Sequence, residues 1–250
     1  MRTRFTELVG CELPLQLAAM GGVGTTELAA AVAAAGGLGM VPRDAQPAAG
    51  ACGLNYLMPF VPALDVVEEM ARNVRVLEFF YGDPSPSLVA AAHGGGALAG
   101  WQVGSVAEAI AASDAGCDFI VAQGTEAGGH VRGTQALDEL LPEVLAAVRV
   151  PVLAAGGIAT AERVRDLLAA TGEDTVLTEW FGEGWENAPH RVLRSAETAA
   201  RKSGWRATTP PYKGIDHPAA VMAMYAGTGV GEVRSMQPAA AVIAELCALL

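Results

Sequence analysis

CDFIVAQGTEAGGHVRG, residues 117–133, sets an apolar run, Phe119–Ala122, directly before a loop holding four glycines, one glutamate and one histidine. A short apolar run bounded by glycine reads as a buried strand. Glycine loses more conformational freedom on folding than any other residue. A cluster of it therefore implies that something approaches the backbone closely, either neighbouring chain or a ligand.

The same strand-then-loop pattern repeats on both sides. Strands are predicted at 13–20 (LPLQLAAM), 37–41, 53–58 (GLNYLM), 74–80, 97–103, 117–124 and 150–158 (VPVLAAGGI). Helices are predicted at 25–36, 63–73, after the turn DPSPS, at 105–116, 135–148 and 160–172. Thr25 and Ser105 are side-chain caps, and Gly36 and Gly116 are stops. Strands alternating with helices argue for a parallel sheet with crossover helices. The segment 174–180 (DTVLTEW) supplies an eighth strand. We expect Thr175–Thr178 to pair between the first and seventh strands and close the ring. The expected fold is a shortened TIM-type (β/α)8 barrel. It forms a single domain over 1–250, with a helical C-terminal extension from about residue 181. An open doubly wound sheet is the alternative, but AAMGGVGTTE after the first strand lacks the G-x-G-x-x-G spacing.

Two places break the pattern. Between residues 41 and 53 the stretch PRDAQPAAGAC is too short and too broken for a crossover helix. After Trp180 the alternation stops, and FGEGWENAPHRVLRSAETAARKSGW reads as a turn and one helix.

Composition narrows the function. The formal net charge is −11 and no basic run occurs, so nucleic acid and anionic membrane surfaces are not expected partners. Mean hydropathy is +0.32, yet Glu27, two threonines and several glycines interrupt the alanine-rich stretch 15–41, which is not a membrane span. The start of the chain does not read as a signal peptide. Cys11, Cys52, Cys117 and Cys247 are widely spaced, with no C-x-x-C pair. They suggest reduced thiols in a cytoplasmic protein and no metal site.

Glycines gather just after strand ends, at Gly21–Gly22–Gly24, Gly124, Gly128–Gly129 and Gly156–Gly157. On an α/β barrel those loops form the ligand face. In AAGGIAT (154–160) two glycines turn the chain before Thr160 opens a helix. That reads as an anion site of bare N–H groups, suited to phosphate, or as a plain tight turn. His130 reads as a catalytic proton carrier or a structural imidazole. His93, His190 and His217 lack a comparable setting. No nucleophile triad or H-E-x-x-H pattern is present.

AQGTEAGGHVRG resembles the signature of the nitronate monooxygenase family, formerly 2-nitropropane dioxygenases. LQLAAMGGVGTTELAAAVAAAGGLGMV, GLNYLMPF, WQVGSVAEA, VPVLAAGGIAT and two C-terminal segments resemble that family in the same order. The resemblance implies a TIM barrel holding FMN, with alkyl nitronates as small-molecule substrates and oxygen as acceptor, and it leaves room for a homo-oligomer. It implies that His130 faces the reacting group as a base or as a hydrogen-bond partner of the nitro group. Ala19, Met20 and Gly21 would line the isoalloxazine, and Asn55, Gln102 and Gln123 would bond ring or ribityl atoms. Gly124 would admit the flavin, and Gly156 and Gly157 would hold the phosphate. The sequence departs from the family at AAM, in the missing second crossover helix, and in the absent eighth strand with its phosphate-gripping Gly–Thr. Thr178 and Glu179 would then stand near the phosphate. The alternatives are an NAD(P)H-dependent flavin reductase acting on quinones or enoyl thioesters, and a non-catalytic homologue that has lost FMN.

Overall fold

The computed structural model describes residues 2–20, 24–41, 52–161, 164, 175–180, 189–204 and 235–248. Six parallel strands form one sheet: β1 (Gly39–Val41), β2 (Cys52–Leu57), β3 (Val76–Phe80), β4 (Leu98–Val103), β5 (Phe119–Gln123) and β7 (Val152–Ala155). Their order follows the chain, β1-β2-β3-β4-β5-β7. Helix α2 (Thr26–Ala34) precedes β1, and from β2 onward helices α3 (Leu64–Ala71), α4 (Pro86–Gly94), α5 (Val106–Asp114) and α6 (Leu137–Ala147) each carry the chain to the next strand of the sheet. The expected caps are present: Thr25 accepts from Leu28 N, and Ser105 accepts from Glu108 N.

The sheet is buried on both faces, as β3 and β5 show by being buried at every position. One face packs on the helices through Leu54, Leu77, Phe79, Trp101 and Ile120. The other curls round a smaller cluster of Leu38, Met40, Val76, Phe119 and Val121. Helix α1 (Arg4–Val9) plugs the bottom of this inner face with Phe5 and Val9. The Phe5 ring meets Phe119 edge-on at 5.5 Å. Arg75, just before β3, donates to the carbonyls of Val9 and Leu8, which ties α1 to the N-terminal strand ends. Together these elements form an arc of a TIM barrel, with helices Arg194–Ser203 and Ala239–Leu246 toward the C-terminus.

Two expectations are corrected. Residues 13–20 do not form a full strand: they run beside β1 through an isolated parallel bridge, Gln16–Leu38. Leu17 N donates to Leu38 O, and Leu38 N to Leu15 O. Pro14 has no N–H to give, and Ala18, Ala19 and Met20 are exposed. Thr175–Thr178 is a strand (β8), but it is not a substitute eighth strand. It pairs antiparallel with β9 (His190–Leu193), which pairs with β6 (Gly129–His130) in a separate sheet of order β6-β9-β8. β8 spends its ladder hydrogen bonds on β9, and among the described residues no strand bridges the first segment and β7. Strand β9 itself was read as part of a turn and helix. Helix 160–172, the stretch 42–51 and Gly21 lie largely or wholly outside the described residues.

Candidate functional site

Side chains alternate along a strand, so the groups on the inner face can be read from register. A Cβ at Gly53 would press on Met40 and Val76, which puts Gly53 and Asn55 inside. Val76 and Glu78 follow on β3. On β4 a Cβ at Gly100 would overlap the Phe119 ring, so Gly100 and Gln102 face inward. Asn55 stands opposite Glu78, and Glu78 opposite Gly100.

Glu78 is 2% exposed. It accepts from Gln16 Nε2 at 2.5 Å and from Asn55 Nδ2 at 2.9 Å. Burial pushes its carboxyl above the usual range, against the two amide donors. Nothing in the sequence marked Glu78 except a lone acid inside an apolar strand. Asn55 is thus engaged with protein. Gln123 is also engaged: it is 3% exposed, and its Nε2 donates to His130 O while its Oε1 accepts from Arg132 N. The Gln102 side chain is half-buried and makes no hydrogen bond to a described residue, and Gln16 Oε1 is buried without a hydrogen-bond partner among them.

In the loop after β5, Gly124 and Gly133 answer to neighbouring backbone, whereas Gly129 (φ +78°) has open space around it and answers to its left-handed conformation. A Cβ at Gly124 would stand 2.5 Å from Leu137 N, the start of α6, and one at Gly156 would stand 3.0 Å from Ala127 N. Gly133 and Gly104 lie against each other so closely that a Cβ on either would overlap the other's backbone. Glu126 seals the arrangement by accepting from Leu137 N at the helix N-terminus, where a carboxylate is favoured. Gly156 (φ +123°) and Gly157 (φ +67°) form the left-handed turn after β7.

This scaffold fixes His130. Its backbone pairs with His190 across the β6–β9 ladder, and Val131 N donates to Pro189 O. The His130 ring meets Tyr81 edge-on at 5.6 Å and His190 at 5.5 Å. Burial first, and the His190 charge second, hold the His130 imidazole down to about 4. Tyr81 follows β3 with φ +65°, a conformation that costs a non-glycine residue strain and clusters at functional sites. Burial pushes its phenol up to about 12, with Glu179 adding to the shift and Arg132 opposing it. Arg132 is clamped by Glu108 at 2.5 Å and Asp83 at 2.7 Å. At neutral pH the cluster therefore presents an uncharged imidazole and an intact phenol beside a fixed guanidinium.

Sequence reasoning singled out His130 and missed Tyr81, His190 and Arg132. The expectation that His190 lacks a setting is corrected: it is fully buried, because β9 carries it directly opposite His130. Tyr81 was findable as a polar aromatic at a strand's C-terminal end; His190 was not, since its strand is short and separated from His130 by 59 residues. Thr178 donates to Glu197, and Glu179 reaches the site only through its charge on Tyr81.

The fold and the cluster define a class: an α/β-barrel protein with a cluster of polar side chains on loops at the C-terminal ends of parallel strands. Within that class the family described as nitronate monooxygenase matches residues 45–201, and the chain belongs to it. A Mycobacterium tuberculosis protein named as a (3aS,4S,5R,7aS)-5-hydroxy-7a-methyl-1-oxo-octahydro-1H-indene-4-carboxyl-CoA dehydrogenase is 33% identical over 251 residues, covering 83% of this chain and 70% of that protein. A second protein of that organism, named for monooxygenase activity, is 41% identical over 145 residues, 57% of this chain; the match spans only 36% of that protein's length. A Staphylococcus aureus protein named probable nitronate monooxygenase is 26% identical, over 78% of this chain and 72% of its own. Among solved structures, FabK from Thermotoga maritima superposes with a TM-score of 0.78 at 25% identity, covering 98% of this chain and 95% of that one. Nitroalkane oxidase from Streptomyces ansochromogenes shares the fold, with a TM-score of 0.72 at 24% identity over 98% and 97% of the two chains. The three relatives matched by sequence all carry the names of redox enzymes, one a dehydrogenase and two monooxygenases.

Proposed function

We propose that this chain is a flavin-dependent oxidoreductase that binds FMN at the open, C-terminal end of the sheet and oxidises alkyl nitronates with oxygen. In the overall reaction two nitronate anions and one oxygen molecule give two carbonyl compounds and two nitrite ions. The inner-face side-chain groups without a hydrogen-bond partner among the described residues, Gln102 and Gln16 Oε1, fit a polar heterocycle, and the exposed Ala19 and Met20 fit its flat face. Gly156 and Gly157 would hold the phosphate on bare backbone N–H groups. FMN, when bound, supplies the electron transfer between substrate and oxygen.

The observation that carries this reading is the uncharged His130 held beside Tyr81 at the sheet's mouth. An imidazole held at about 4 is a poor base at neutral pH but an effective hydrogen-bond partner. Of the two roles open to His130, bonding the nitro oxygens therefore suits it better than proton abstraction. Such a site needs a substrate already deprotonated, which a nitronate is. Tyr81 offers a phenol O–H beside it. The test is the absorbance spectrum of the purified protein followed by nitrite release from an alkyl nitronate. Flavin bands and oxygen-dependent nitrite are expected. A protein that neither carries nor takes up FMN on titration refutes the reading.

A second reading has its own support, the 33% identity to an acyl-CoA dehydrogenating relative over 83% of this chain. Under it a thioester substrate would bleach the flavin anaerobically while nitronates would not.

A further inference from the structure

We propose that His190 is a positioning residue for His130, the two imidazoles forming one cross-strand unit that carries at most one proton. The two residues are directly paired in the β6–β9 register, and Thr178 of β8 pairs with His190 from the other side. The ring centroids lie 5.5 Å apart at an interplanar angle of 63°. His190 is completely buried and His130 half-buried, so water screens one ring from the other only weakly. Two imidazolium ions at that separation in such a place repel strongly, and buried titratable neighbours of this kind exchange protons as a pair.

The neighbours of His130 reinforce the arrangement. Tyr81 packs on its ring from the end of β3, and stays a neutral phenol. Arg132, two residues along the same loop, is a fixed cation that adds no proton acceptor. Glu179, beyond β8, acts on Tyr81. Burial and the charge of His190 both disfavour imidazolium at His130. Edge-on contacts from two rings also hold the imidazole plane, so His190 sets both charge and orientation. The role rests on the proposed function only in that His130 meets the substrate. The coupling itself can be measured without any ligand.

The test is a pH titration of the full chain labelled with nitrogen-15 in histidine, read by imidazole NMR. His93, paired on the surface with Asp118 at 2.8 Å, is the internal standard. In the wild type the His130 and His190 signals should each inflect at the other's midpoint. In His190→Phe, which keeps a buried ring and removes the charge, the His130 midpoint should rise by about one pH unit or more and become a single-site curve. His93 should not move. His190→Gln replaces this variant if circular dichroism shows it misfolded. Independent wild-type curves, or an unmoved His130 midpoint in a folded variant, overturn the proposal. The acid limb of nitronate turnover should follow the His130 midpoint. A shifted midpoint with an unshifted turnover profile leaves the pair standing and removes His130 from substrate binding.

Discussion

Gly104→Ala is the sharpest test of how the site is built. Gly104 follows β4, and its backbone lies against that of Gly133 in the loop carrying His130 and Arg132. An alanine Cβ there would overlap Gly133 N, stand 2.5 Å from Gly133 Cα and 3.0 Å from Arg132 C. Those atoms are backbone, so no rotamer change relieves the clash. Restoring ordinary contact requires the loop to move by about 1 Å, and overpacking of this kind costs about 1–3 kcal/mol. For a domain of this size that lowers Tm by roughly 2–12 °C. The same displacement pulls Arg132 from Glu108 and Asp83 and shifts His130, and a 1 Å misplacement at a reacting centre costs about 10²-fold in rate. Gly10→Ala is the control. It has φ +87° and open space around it, so it costs about 1–2 kcal/mol in left-handed strain at the opposite end of the sheet. Scanning calorimetry and nitrite release on both variants decide the matter. A Gly104→Ala protein that melts with the wild type and turns over normally would refute the loop-against-loop account of these glycines.

Two further outcomes follow from the same geometry. His130→Ala removes the hydrogen-bond partner and should retain the flavin spectrum while slowing nitronate turnover by about 10²-fold or more; unchanged turnover with intact flavin would assign His130 a purely structural role. Glu78→Gln tests the buried carboxyl, whose pKa is raised first by burial. The folded state then holds the proton more tightly than the unfolded chain, so wild-type stability falls as pH rises from the unfolded pKa through the folded one. The variant lacks that fall, and its Tm advantage should grow across this window and then level off. Parallel Tm-against-pH curves for the two proteins would show that Glu78 titrates as it does in the unfolded chain.

The sequence by itself determined the parallel α/β architecture, the caps at Thr25 and Ser105, and the close backbone approach in the glycine-rich loop at His130. These are local properties: alternating apolar runs, capping side chains and glycine punctuation act within a few residues of where they are written. The tertiary structure decided what those glycines face. Gly104 and Gly133 are 29 residues apart, and only the packing of two loops shows that each makes room for the other. It also decided where Thr175–Thr178 goes. Strand propensity marks that segment as extended, but the choice of partner depends on which edge offers unpaired N–H and C=O groups nearby, and β9 offers them. His190 belongs to the same lesson. A histidine in a four-residue strand carries no local sign of importance, and it acquires one only because β9 lies against β6 and sets it directly opposite His130.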